Sequence, residues 1–185
     1  MNDLFEYMPL ACSIGSKIFA VHAGIGSRIN RLSDIDSIKR PVVVPDDVST
    51  QEQQIIMDLL WSDPTDHEEE LGVVANLERD PTQVWNIVKY GPDRIDKFLK
   101  TNFHSVILRS HGIAQQGYEK FADGNLITIN SFTNYCNWLN NDACFFVVQK
   151  KFEITPKIIK PLKDSSKYWY SEQKRPLSPN KLMEM

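Results

Sequence analysis

Apolar and polar positions alternate in short blocks along this chain, each block cut off by turn-forming residues. Ile18-Phe19-Ala20-Val21 and Val106-Ile107-Leu108 are unbroken apolar runs of strand length. Each stops abruptly at a polar segment containing a histidine: His22-Ala23-Gly24 after the first run, Arg109-Ser110-His111-Gly112 after the second. That is how a buried strand ends when its last residues open into a cleft. Residues 10–14 and 17–21 flank Gly15-Ser16, which predicts a hairpin with glycine in the first central turn position. Residues 116–122 and 126–131 flank Asp123-Gly124, a second and stronger hairpin signal, because both central residues accept positive φ. Residues 143–149 and 152–159, separated by Lys150-Lys151, predict a last pair of strands.

Helical spacing is confined to fewer places. Within 51–60, Ile55, Ile56, Leu59 and Leu60 face one side. Gly91-Pro92-Asp93 opens the clearest helix: proline suits the first helical position, Ile95, Phe98 and Leu99 form one face, and Asn102 ends it. Ser33 is a good N-cap for a short helix over 34–39, closed by Pro41. A brief helix near the start must end before Pro9. Residues 65–90 are acidic and irregular, with Pro81 inside, and predict an extended surface excursion holding only short strands. From 163 onward the chain is polar, with Pro176 and Pro179, and reads as a mobile tail. Ser178-Pro179 in that tail reads as a solvated serine rather than a modification site.

With 185 residues, 42% of them hydrophobic, the chain can bury one core, and we assign it to a single unit over 1–162. A formal charge of −3 with no basic stripe argues against a nucleic-acid surface. No segment approaches the roughly 18 apolar residues of a membrane span, and the start lacks the basic region and apolar run of a secretory leader. Three cysteines without C-x-x-C spacing indicate neither a disulfide framework nor a structural zinc site, so a reducing cytosol or nucleus is the default.

The chemistry centres on His22 and His111. Each follows aliphatic residues and precedes glycine within two positions, so both imidazoles can project from a sheet edge into one cavity and bind metal; taken singly, either is more simply a packed structural histidine. His67 in the acidic loop and His104 beside a helix end read as solvent-exposed. No G-x-S-x-G elbow and no phosphate loop of the G-x-x-x-x-G-K-[ST] kind is present.

Four motifs, taken in order, carry a resemblance: Phe19-Ala20-Val21-His22-Ala23-Gly24, Leu59-Leu60-Trp61-Ser62-Asp63-Pro64, Leu108-Arg109-Ser110-His111 and Ser131-Phe132-Thr133-Asn134-Tyr135-Cys136. Together they resemble the C-terminal half of the phosphoprotein phosphatase catalytic domain, with the match running from about Phe5 to Leu162. Gly91-Pro92-Asp93-Arg94 and the segment 76–81 are most similar to the branch that carries Kelch repeats.

The resemblance implies an α+β fold, the C-terminal half of a four-layer αββα sandwich with mixed β-sheets. It also implies a two-metal hydrolase of phosphoserine and phosphothreonine, in which two ions roughly 3.5–4 Å apart activate water for in-line attack on phosphorus. His22 and His111 inherit the role of ligands to one ion, and imidazole suits Mn, Fe or Zn. Arg79 matches a phosphate-clamping arginine whose fork fits phosphate oxygens bidentately, a plain surface arginine being the alternative. Tyr135 matches a tyrosine lining the catalytic cleft, an aromatic packed on the sheet edge being its alternative, and Cys136 matches a cleft cysteine with no catalytic duty.

Implied partners are phosphoprotein substrates, regulatory subunits and the N-terminal half of the domain. The family's G-D-x-H-G, G-D-x-x-D-R-G and G-N-H-E motifs, which supply the bridging aspartate and remaining ligands, do not occur in the 185 residues. Metal binding is therefore expected to be weak or single-site, without turnover by this chain alone. Smaller departures are Ala23 in place of glycine, Ser110 in place of alanine, and Phe132-Thr133 in place of alanine-proline. Three readings stay open: a piece of an ordinary phosphatase, a short natural product that binds partners without turnover, or a β-rich interaction module whose histidines only pack. With its partner sheet missing, the chain is expected to form mostly one sheet with an apolar face uncovered.

Overall fold

The computed structural model describes residues 2–162; the predicted tail over 163–185, with Ser178-Pro179, lies outside them. Its centre is a five-stranded mixed sheet. The hairpin β1 (Ala11–Ile14) and β2 (Ile18–Val21) is antiparallel, as its sequence predicts. Both Gly15 and Ser16 adopt positive φ, so the turn needs left-handed backbone at two positions instead of glycine at one. Strand β6 (Val106–Arg109) lies parallel to β2 on one side and to β8 (Leu126–Ile129) on the other. Strand β7 (Tyr118–Phe121) closes the sheet antiparallel to β8, across the predicted Asp123-Gly124 turn.

Alternation along these strands makes two apolar faces. Phe19, Val21, Ile107 and Leu126 point to one face, where α3 (Gln51–Trp61) brings Ile55, Ile56 and Leu59 and α4 (Pro92–Asn102) brings Ile95, Phe98 and Leu99. Thr50 caps α3, its hydroxyl accepting from Gln53 N while the Gln53 side chain reaches back to Thr50 N at 2.9 Å. Helix α4 starts at the predicted proline and stops at Phe103, whose left-handed backbone ends the helix.

The opposite face, with Ile18, Val106 and Ile127, is not left bare as expected. The hairpin of β9 (Ala143–Val148) and β10 (Ile154–Ile159) folds over it and packs Phe146, Val148 and Ile154 against those residues. Exposed apolar surface is displaced one layer outward, to Phe145, Val147 and Ile159 on the far side of the hairpin.

Two further expectations need correction, and a third holds with added detail. Helix α2 is Leu32–Asp36, not 34–39 behind a Ser33 cap, because the Asp34 carboxylate accepts from Asn30 N and Arg31 N at 2.9 and 2.8 Å and starts the helix earlier. His104 is buried: Ser13 Oγ lies 2.8 Å from its Nε2, its Nδ1 lies 2.7 Å from the Asn102 carbonyl, and Phe19 packs edge-on against it. The excursion over 65–90 is better organised than its composition suggests. Its two strands, β4 (Val73–Ala75) and β5 (Val88–Tyr90), join β3 (Asp63–Pro64) just before it in a small sheet of order β3-β5-β4. Its centre is polar, with the buried Asp80 carboxylate accepting from the amides of Val84, Trp85 and Ile87. A loop can be ordered this way without apolar runs, since each buried acceptor is satisfied.

A brief helix α1 (Asn2–Phe5) precedes β1, ending well before Pro9.

Candidate metal centre

Strand register brings the two histidines together. In the parallel pairing of β2 with β6, Ile18 faces Val106 and Ala20 faces Leu108. The same offset continued past the strand ends sets His22 level with Ser110, and Ser110 N donates to the His22 carbonyl at 2.9 Å. His111 follows one residue later, with its backbone in the left-handed region at φ 60° and Gly112 N donating across it to Ser110 O at 2.8 Å. That turn tips the His111 ring toward His22. Nε2 of His22 and Nδ1 of His111 end 3.1 Å apart, with the rings at 64° to each other.

Both rings favour the neutral form. Burial, then the Arg109 and Arg79 guanidinium charges, lower the His22 pKa. Burial and Arg79 push His111 down to about 4, against the opposing pull of Asp63. At neutral pH one ring donates an N–H to the other across this gap, and a change of tautomer turns both lone pairs toward an ion placed between them. The separation fits a shared ion, since 3.1 Å is less than two metal–nitrogen bonds of about 2.0–2.1 Å placed end to end. Nε2 of His111 is buried with no hydrogen-bond partner among the described residues, and the indole of Trp61 stands perpendicular to the ring at 5.3 Å. The donor set stops at two: among the described residues no group of three or more His, Cys, Asp or Glu side chains could hold a metal ion. The fit is thus to part of one coordination shell.

The turn after β2 is fixed by close packing. Ala23 is fully buried, so the methyl that stands in place of glycine is accommodated in the core. Its N–H donates to Leu59 O at 2.9 Å, and its carbonyl accepts from Arg109 Nε and from the Tyr90 hydroxyl. A Cβ on Gly24 would sit 2.3 Å from the Tyr90 ring. One on Gly26, whose φ is +42°, would sit 2.0 Å from Asp58 Cγ. Asp58 is itself fully buried, accepts from the amides of Ser27 and Arg28, and is raised by burial to about 6. Ser110 in place of alanine is likewise accommodated, its hydroxyl donating to Ile129 O at 3.2 Å.

Arg79 reaches this site, though not as a free fork. Its Nε donates to Asp63 Oδ2 at 2.9 Å and its Nη2 to the His111 carbonyl at 2.9 Å, leaving the outer edge with Nη1 for a ligand. Tyr135 stands on a short 3-10 turn (Tyr135–Asn137) after β8, exposed, with its ring against Phe132 at 5.2 Å. Its neighbour Cys136 is exposed as well.

Sequence reasoning passed over Asp63 and Arg109, although both sit inside motifs it singled out. Buried Arg109 donates through Nη2 to Asp63 Oδ1 at 2.7 Å. Burial alone would raise the Asp63 carboxyl, but the Arg79 hydrogen bond and the Arg109 and Arg79 charges outweigh it and hold the pKa below the ordinary value. A cleft of about 430 Å³ borders this ion network, lined by Asp63, Arg79, Lys89, Arg109 and Gly112 among others. Asp63, Arg79 and Arg109 come from three segments so far apart in sequence that they give no spacing to read.

Comparison with known proteins decides the family. The model of the calcineurin-like phosphoesterases matches residues 1–113, a stretch that includes both histidines. The chain belongs to the calcineurin-like phosphoesterase family. Within it, the chain is 40% identical over 162 residues to the serine/threonine-protein phosphatase BSL2 of Arabidopsis thaliana, spanning 88% of this chain and 15% of that protein. It also resembles the solved structure of a protein serine/threonine phosphatase from Saccharomyces cerevisiae with similarity to human phosphatase PP5. The TM-score is 0.69 at 26% identity, covering 86% of this chain and 49% of that one. This phosphoesterase chain is therefore a mixed α+β, C-terminal portion of the phosphatase fold, about half the length of the solved relative.

Proposed function

We propose that this chain is the C-terminal part of the catalytic domain of a metal-dependent protein serine/threonine phosphatase, and that it does not turn over substrate by itself. The observation carrying this reading is the meeting of two neutral imidazole nitrogens at the ends of adjacent parallel strands, 3.1 Å apart, with an arginine beside them. His22 through Nε2 and His111 through Nδ1 would hold one divalent ion, with Mn, Fe or Zn suited to imidazole. When bound, such ions supply Lewis-acid polarisation of the phosphate and an activated water. Arg79 uses its free outer edge to orient a phosphate monoester, its inner edge being fixed on Asp63 and the His111 carbonyl. Tyr135 borders the cleft on the family pattern. A complete two-ion site needs a bridging carboxylate, and Asp63 does not substitute, because both its oxygens are engaged by guanidinium groups.

The substrates on this reading are phosphoserine and phosphothreonine in proteins. Regulatory subunits and the complementary N-terminal part of the domain are the partners, a reducing compartment the location, and the Kelch-bearing branch the nearest lineage. Release of phosphate from a phosphothreonine peptide, measured with and without Mn2+, tests it. The chain alone should be inactive, and addition or fusion of the complementary part of a phosphatase domain should produce Mn2+-dependent turnover that His111→Gln abolishes. Turnover by the bare chain, or a complemented enzyme indifferent to His111→Gln, would overturn the proposal.

A further inference from the structure

One carboxylate ties together the two turns that carry His22 and His111. Asp63 Oδ2 accepts from Arg79 Nε at 2.9 Å and from Asn76 Nδ2 at 3.0 Å, while Oδ1 accepts from Arg109 Nη2 at 2.7 Å. Each guanidinium then extends a second N–H to a backbone carbonyl in a histidine turn. Arg79 Nη2 donates to His111 O at 2.9 Å, and Arg109 Nε donates to Ala23 O, one residue past His22. The Asp63 side chain is 15% exposed and that of Arg109 3%, so solvent offers little alternative to these bonds.

We propose that Asp63 is a positioning residue which, through two arginine struts, sets the distance between the His22 and His111 rings. The proposal rests on the reading of those rings as partners for one ion, and deepens it by naming what holds them in place.

The requirement for a carboxylate follows from hydrogen-bond capacity. Two oxygens without protons can each engage a guanidinium and offset two neighbouring positive charges. An asparagine offers one acceptor and turns its NH2 toward a second donor, so one strut is lost. The two turns do not depend equally on the struts. The His22 turn has other holds, from Leu59 O and from Tyr90. The His111 turn places a side-chain-bearing residue at φ 60°, and among the described residues Arg79 is the only side-chain donor to its carbonyl. Withdrawing the clamp should therefore release His111 first.

The test compares the wild-type chain with Asp63→Asn, Arg79→Met and, as a control, Lys89→Met. Lys89, beside Asp63 in the small sheet, pairs its ammonium with Asp66 and Glu78, so this control removes a nearby charge without cutting either strut. Without metal, NMR reads the nuclear Overhauser contact between the two imidazoles and the exchange rates of the Gly112 and Ala23 amides; with metal, titration of Co2+ reads affinity and the visible spectrum of the bound ion. In Asp63→Asn the ring contact should disappear, Gly112 exchange should rise at least about tenfold, and Co2+ affinity should fall about 10–100-fold, the usual effect of removing a group that orients a ligand. Arg79→Met, which cuts one strut at a half-exposed side chain, should loosen Gly112 but not Ala23, and keeps the test open if Asp63→Asn fails to fold. Lys89→Met should leave all three readouts at wild-type values.

Wild-type ring contact, exchange and Co2+ affinity in Asp63→Asn would overturn the positioning role, as would an unchanged Gly112 amide in Arg79→Met. A wild-type chain whose Co2+ signal ignores His22 and His111 would instead sink the metal reading, while the metal-free measurements still judge the clamp.

Discussion

The turns bearing His22 and His111 bring their rings to the same place by different physical means. The first is held by packing: a fully buried Ala23, a Gly24 with no room for a Cβ against Tyr90, and a Gly26 pressed onto Asp58. The second has less such support, with His111 half-buried and only the Trp61 indole packed against its ring, and is held mainly by charge: Arg79 on its carbonyl and Asp63 behind Arg79. Packing fixes a backbone whatever the charges nearby, whereas an ionic strut holds it only while both partners remain ionised. One half of the site should therefore fail by steric insult and the other by loss of charge.

The largest effect expected on the packed turn comes from Gly26→Ala. The added methyl would need positive φ and would meet the buried Asp58 at 2.0 Å. A loss of about 3 kcal/mol or more is expected, a fall in melting temperature on the order of 10 °C. A melting temperature within a degree or two of wild type would show that the turn is not close-packed.

Next comes the pH dependence that Asp58 builds into the same turn. Its folded pKa, about 6, lies above the ordinary 3.8, so the folded state prefers the protonated carboxyl. The resulting stabilisation is complete below pH 3.8 and is lost as pH rises through about 6. A shift of about two pH units corresponds to roughly 3 kcal/mol at this buried group. Urea denaturation of the wild type and Asp58→Asn between pH 4 and 7 should therefore show the difference in stability shrinking at the wild type's expense as pH rises; a constant difference would contradict the assigned burial.

The smallest expected effect is that of Tyr90→Phe, which removes one of two donors to the Ala23 carbonyl. Arg109 keeps that oxygen satisfied, so about 0.5–1 kcal/mol should be lost, again read from denaturation. A loss above 2 kcal/mol would mean that the hydroxyl, not the packing, holds the turn.

The same contrast explains what the sequence discloses. Apolar runs ending at His22 and His111 report strands β2 and β6 directly, and helix α4 is legible from Pro92 and the Ile95-Phe98-Leu99 face, because these features depend on local periodicity. Packing-held structure is written in such runs. The charge-held part is not. Asp63, Arg79 and Arg109 lie on three separated segments, and nothing in their spacing says that one carboxylate bridges both arginines. The excursion over 65–90 hid its order for a similar reason, since Asp80 gathers backbone amides where an apolar cluster would have shown as a pattern. His104 looked like a surface residue because its partners, Ser13 and Phe19, come from the first hairpin. The cover over the Ile18-Val106-Ile127 face was missed because β9 and β10 were legible as strands but their docking site was not.

The central claim is that His22 and His111 share one ion, and paramagnetic broadening by Mn2+ reads it most directly. Added to the chain in substoichiometric amounts, Mn2+ should broaden the imidazole signals of His22 and His111 together and more strongly than those of His67 and His104, and lose its effect on either ring when the other is changed to Gln. Broadening that favours His67, or that persists at His22 in His111→Gln, would contradict the account.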